Sequence, residues 1–328
     1  MVPKTESRPV RVAPIPAAIG WGVALAVGAA LISGVAIYLN AYAVKQLPDA
    51  TVYTTLKNGV AALALVAAAF GLGAAREART LNRSQWTRVL AVGVVGGSIP
   101  FILFFTGLAV ASAPSAAFIQ KTLFVWVALL AVPFLGERLG WVPVAALAVL
   151  LVGQALVLPP DGVQWGSGET LILAATLLWA IETVLVKRLL ATVPASLMAA
   201  LRMTVGLVVL VGYLAVSGKL AVLGALSEPQ LGWVLVTGLV LAGYVATWFG
   251  ALQRAPASIV TSVLVIGAVV TGTLTAVTKG AAPAPTVVGG YVLIVGAALA
   301  LAGWSLRATR RAAAATVGPA VPVAVAVD

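Results

Sequence analysis

A chain of 328 residues that is 62% hydrophobic and 9% charged, with mean hydropathy +1.10, has too few charges to cover a water-exposed surface. It reads as a polytopic membrane protein, and its net charge of +11, which in a soluble chain would suggest nucleic acid, is better explained by topology. With no Cys and no His it can form no disulfide, thiol site or histidine relay, and its nine carboxylates lie singly along the chain, so neither metal nor cofactor is expected.

The first 17 residues are basic and proline-rich and read as a cytoplasmic tail. Ten apolar stretches long enough to span a bilayer follow, at about 18–39, 51–73, 87–109, 114–133, 140–158, 168–187, 195–216, 230–251, 257–278 and 285–306. Pro100 falls inside the third stretch, where a kink is expected. A gap at 159–167 divides the ten into five and five, giving units 18–158 and 168–306. The tail 307–328 begins basic and ends in an Ala/Val/Pro run that reads as disordered or surface-associated.

The halves echo one another. At an offset of 143 positions Gly107 meets Gly250, Ser115 meets Ser258, Val127 meets Val270, Gly153 meets Gly296 and Leu158 meets Leu301. Because each half has an odd number of spans, the second enters the membrane in the opposite sense. The fold class is therefore all-α, ten transmembrane helices in two inverted five-helix repeats. With the N-terminus inside, fourteen of the twenty basic residues fall in internal segments. Only Lys45, Lys219 and Lys279 fall outside, and Lys57, Lys121 and Arg202 fall within spans. That bias places both termini in the cytoplasm.

Ionisable groups at lipid depth are costly and tend to face the protein interior or a water-filled path. Lys57 (LKNGVAAL) and Arg202 (LRMTVGLV) occupy the same place in the two halves, and either line a central path or snorkel as structural groups. Lys121 has Leu264 as its counterpart, and this asymmetry makes it a candidate contact for an anionic part of a substrate, with Phe118 close on the same helix and Gln120 turned elsewhere. Glu182 stands five residues before Lys187 as Asn40 stands five before Lys45. A polar group at that position in both halves suggests a lining, where Glu182 could exchange a proton, bind a cationic group or hold a basic neighbour. Trp179 lies one turn earlier and either lines the same cavity or packs. No phosphate-binding, prenyl-transfer or triad pattern is present, which leaves little room for an enzyme.

Two five-span halves with a basic residue early in each second helix, the links GLAVASAPSAAFI and GALQRAPASIV, and the segment PFLGERLGW resemble the EamA-like ten-helix branch of the drug/metabolite transporter superfamily. The resemblance covers about residues 18–306. It implies a secondary active transporter, an exporter, moving a small metabolite, amino acid or drug-like compound by alternating access, with proton coupling as an option. The implied setting is a bacterial inner membrane, with membrane lipids and a small-molecule substrate as partners and no nucleic acid. Monomer and homodimer both stay open. The alternative reading is a carrier of a lipid or lipid-linked intermediate. By position the resemblance implies that Asn40, Lys57, Lys121, Glu182 and Arg202 lie near the substrate cavity and that Glu137 is a cytoplasmic structural or gating residue. Gly280 stands in the place of Glu137 in the second half.

Overall fold

The computed structural model describes residues 16–157 and 165–316; the basic tail 1–15, most of the linker and the end of the C-terminal tail lie outside them. The described residues fold as helices without a strand. The first repeat comprises α1 (Pro16–Gln46), α2 (Ala50–Gly71), α3 (Arg83–Val95), α4 (Ile99–Val110), α5 (Ala113–Lys121), α6 (Leu123–Leu135) and α7 (Trp141–Val157). The second comprises α8 (Ser167–Leu189), α9 (Ala195–Val216), α10 (Glu228–Arg254), α11 (Ala257–Val263), α12 (Ile266–Lys279) and α13 (Pro285–Thr316). Among the described residues nine continuous or broken helices are long and apolar enough to cross a membrane. The tenth crossing is α7, whose 17 residues reach about 26 Å at 1.5 Å per residue.

The breaks follow the sequence. The third span divides into α3 and α4 at Gly96–Ser98, so the break precedes Pro100, which sits in the first turn of α4. The fourth span divides at Thr122 and the ninth at Leu264–Val265, the same place in the two repeats. Of the C-terminal tail, the first residues continue α13 as helix through Thr316, carrying the exposed Arg307, Arg310 and Arg311 past the span, and the end of the Ala/Val/Pro run lies outside the described residues. The 32 residues of α13 reach about 48 Å, well beyond a bilayer core of about 30 Å.

Packing is largely between repeats and is reciprocal. The first helix of one repeat, α1, lies against α10 and α12, and its counterpart α8 lies against α4 and α6. Two helices pack on their own counterparts, α2 on α9 and α7 on α13. Exchange of partners in this way, with self-pairs on the axis, is what a two-fold relation produces. Five crossings per repeat make that relation an inversion across the membrane. The tightest crossing lies where α9 meets the α3–α4 break: a Cβ on Gly206 would stand 2.3 Å from the Gly97 carbonyl oxygen, so only glycine lets the two backbones approach this closely.

Candidate functional site

The cavity between the repeats starts from a missing donor. In an unbroken helix the Gly96 carbonyl would accept from the N–H of residue 100, but Pro100 has none. The freed carbonyl points into the protein, where Arg202 Nη2 donates to it at 2.7 Å and Trp179 Nε1 at 3.2 Å. Broken helices survive at membrane depth only when such groups find partners. Arg202 also holds Glu182 with two bonds, Nε to Oε1 at 2.6 Å and Nη2 to Oε2 at 3.0 Å. Both members of this pair are buried. Gly96 must be glycine here, since a Cβ would stand 2.0 Å from Glu182 Cδ.

The first repeat builds the corresponding pair from weaker parts. Lys57 Nζ donates to Asn40 Oδ1 at 3.3 Å, and the same oxygen accepts from the Tyr53 hydroxyl. The Lys57 ammonium lies 3.7 Å from the centre of the Phe105 ring, 5.4 Å from Tyr53 and 5.7 Å from Phe101. The Arg202 guanidinium lies 5.4 Å from the centre of the Phe101 ring and 5.8 Å from that of Phe249. Ring faces attract cations within about 6 Å, so Phe101 is within reach of both basic groups.

These groups line a cavity of about 90 Å³ together with Ser33, Phe104, Gln120, Tyr244 and Trp248, large enough for several waters or a compact solute. Of the residues singled out by sequence, Asn40, Lys57, Trp179, Glu182 and Arg202 meet here. Two do not. Phe118 lines a separate apolar cavity of about 220 Å³ with Gln154, Thr271 and Tyr291. Lys121 is buried behind Ser33, donating to its Oγ at 2.8 Å, and is not among the residues lining the central cavity. Gln120, expected to turn away, is the one that faces the cavity, and among the described residues its Oε1 has no partner. Sequence reasoning also passes over the aromatic wall. Its signal is present, since Phe101, Phe104 and Phe105 recur at helical spacing on one face of α4.

Both ends of the cavity are tied across the repeats. At the end expected to be external, Lys219 Nζ meets Asp49 Oδ2 at 2.6 Å and Gln230 Nε2 donates to the Gln46 carbonyl at 2.8 Å. Asp49 also caps α2 through Thr51 and Val52. Partial burial pushes the Asp49 carboxyl up, but Lys219, the Thr51 hydroxyl and the two backbone N–H groups outweigh it and hold it down at about 2. At the other end the Glu137 carboxylate accepts from the Ala257 N–H at 2.6 Å and the Ser258 N–H at 3.2 Å, capping α11 from the opposite repeat. Arg188 donates to the Phe134 carbonyl at the end of α6, and Gln85 Nε2 to Thr192 Oγ1 at 3.1 Å.

A sequence model of the EamA-like transporter family matches this chain twice, over residues 20–158 and 166–303. The chain belongs to the EamA-like transporter family. The family is one of transporters, and this chain is a multi-pass helical member of it. The uncharacterized transporter sll1164 of Synechocystis sp. is 26% identical over 206 residues, and that match spans 57% of this chain and 59% of the relative. A solved structure titled only as the crystal structure of a protein has the same fold, with a TM-score of 0.66 at 18% identity, covering 88% of this chain and 98% of that one.

Proposed function

We propose that this EamA-like protein is a secondary active transporter that exports a small organic solute across a bacterial cytoplasmic membrane by alternating access, with both termini in the cytoplasm. The carrying observation is the Lys57, Arg202 and Glu182 constellation, buried at lipid depth and lining one cavity at the junction of the repeats. Ionisable groups are costly there, and a path for polar solutes gives them a use. Alternation follows from the two tied ends: breaking the Glu137 and Arg188 set opens the cavity inward, and breaking the Lys219–Asp49 set opens it outward. A proton taken up by Glu182 would weaken its bidentate hold on Arg202, giving proton binding a direct effect on the cavity.

A lipid-handling role has one observation of its own, the apolar cavity lined by Phe118, Val157 and Val287, which shares no residue with the central one. The intramembrane charges favour the solute path.

The chain has no Cys, so single cysteines report without background. Ala36→Cys, in the central lining, is expected to react with small water-soluble thiol reagents, from one side of the membrane at a time as conditions change. Ser167→Cys should react from outside intact cells, and Ser84→Cys and Ala308→Cys only after permeabilisation. Failure of Ala36→Cys to react from either side under any condition removes the central path. Labelling of position 84 or 308 from outside reverses the topology.

A further inference from the structure

The two basic groups of the cavity differ in one respect that bears on what it carries. Arg202 has a carboxylate, Glu182, bound through two nitrogens. Lys57, its counterpart, has an amide, because Asn40 stands where the second repeat has Glu182. The Asn40 oxygen is already shared with Tyr53, and among the described residues it is the sole hydrogen-bond acceptor of an ammonium that offers three donors. Among the described residues the ion pairs are Glu182–Arg202 and Asp49–Lys219, so Lys57 has no carboxylate partner. Three ring faces compensate it in part. A cation 1% exposed with that shell is left short of one anion.

We infer that the central cavity binds a monoanionic aromatic solute, its carboxylate against Lys57 in the position that Glu182 holds toward Arg202, and its ring on the Phe101 and Phe105 wall. The inference rests on reading this cavity as the transport path. Charge selects the anion: Glu182 neutralises Arg202, which leaves Lys57 as the uncompensated charge of the lining, and Lys121 behind Ser33 adds to the same sign. Among the described residues that line the cavity, Lys57 is the one cation without a carboxylate, which suits a monoanion. The wall selects the rest. Phe101, Phe104, Phe105, Trp179, Trp248 and Phe249 offer ring faces and edges, a mostly apolar wall against which a polyol would leave hydroxyls unpaired.

The probes are phenylacetate, its neutral isostere phenylacetamide and the cation phenethylammonium, measured by equilibrium binding to the full chain in lipid nanodiscs. Phenylacetate should bind at least about tenfold more tightly than either isostere. Asn40→Asp gives Lys57 a carboxylate from its own chain. It should weaken phenylacetate binding at least about tenfold while leaving the melting temperature unchanged or raised, which separates lost affinity from lost fold. Lys57→Met should remove the preference for the anion, and Lys57→Arg should keep it. The inference is overturned if the amide or the amine binds as tightly as the anion. It also fails if Asn40→Asp leaves phenylacetate binding unaltered, or if the folded parent binds no phenylacetate at about 10 mM. Labelling of Ala36→Cys in the same discs tells the two failures apart. A reactive thiol at position 36 without anion preference leaves the path standing and removes only its selectivity; an unreactive one removes both.

Discussion

The first repeat is built with one interrupted helix more than the second, and the second with one carboxylate more at its centre. The third span of the first repeat breaks at Gly96–Ser98, whereas its counterpart α10 runs unbroken for 27 residues, with Gly243 where the first repeat has Pro100. Conversely, Asn40 faces Lys57 where Glu182 faces Arg202. The two differences are joined, since the carbonyl freed by the break in one repeat holds the arginine of the other. A third difference lies at the membrane surfaces. The helix α5 is capped by its own Ser112, whose Oγ accepts from the Ser115 N–H at 3.1 Å. At the matching place α11 has Ala255 and Pro256, which offer no cap, and it takes Glu137 from the opposite repeat instead. Duplicated halves thus keep their helix pairing and diverge where polar groups must be satisfied, and the divergence makes one end of the cavity latch differently from the other.

The largest expected effect comes from parting the buried ion pair. Arg202→Met leaves the Glu182 carboxylate buried and unpaired and should cost about 3–5 kcal/mol, read as a large fall in melting temperature. Glu182→Leu combined with Arg202→Met should recover most of it. The matching single change at the first repeat, Lys57→Met, should cost far less, because it strands the neutral Asn40 amide and no carboxylate. Equal losses in the two repeats would mean that the asymmetry has no energetic content.

Pro100→Ala comes next. It restores the N–H that the first repeat lacks, and that donor competes with Arg202 for Gly96. A hydrogen bond to a charged group is worth about 1.5–3 kcal/mol, so the labelling rate of Ala36→Cys should shift by about tenfold or more with helix content unchanged. An unaltered rate would show the interruption to be idle.

A cap is worth about 1–2 kcal/mol, which sets the scale for Glu137→Ala. Labelling of Ala36→Cys from the cytoplasmic face should rise about 5–30-fold. Adding Ala255→Ser, which gives α11 the self-cap that α5 has, should restore melting but leave the labelling raised. Recovery of both together would make Glu137 a cap and nothing more.

The smallest effect belongs to Asp49–Lys219. A carboxyl held down at about 2 contributes stability that is complete above its ordinary value of 3.8 and is lost as pH falls from there toward 2. Asp49→Asn keeps the α2 cap and removes the charge, so melting above pH 4 should drop by less than about 1 kcal/mol and the acid-side slope should flatten. A slope as steep in the variant as in the parent would assign it to other carboxylates.

Much of this architecture is legible in sequence because the membrane imposes few and strong rules. Span length, the bias of arginines toward one side and the odd number of spans lead to the two opposed repeats, and spacing from Lys45 and Lys187 is enough to align Asn40 with Glu182. Facing is harder to read. A helix apolar on all sides gives no polar stripe to orient it, and the break at Thr122 ends the regular turn just where Gln120 and Lys121 have to be told apart. The third-span break is also hard to place from sequence, since attention goes to the proline while the consequence falls four residues earlier, on the carbonyl that loses its donor. Glu137 stands out as a departure from symmetry at Gly280, but its target emerges only once α11 is seen to start without a cap of its own.

The acceptor at Gly96 has a consequence for genetics. It belongs to the main chain, so no codon change at position 96 deletes it, and changes that add a side chain there collide with Glu182 before they affect the carbonyl. A saturation screen of this protein would therefore score position 96 as intolerant for steric reasons and miss the hydrogen bond entirely. The bond is encoded at a distance, by the imino acid at position 100, and a suppressor of damage at Arg202 or Trp179 would be sought there.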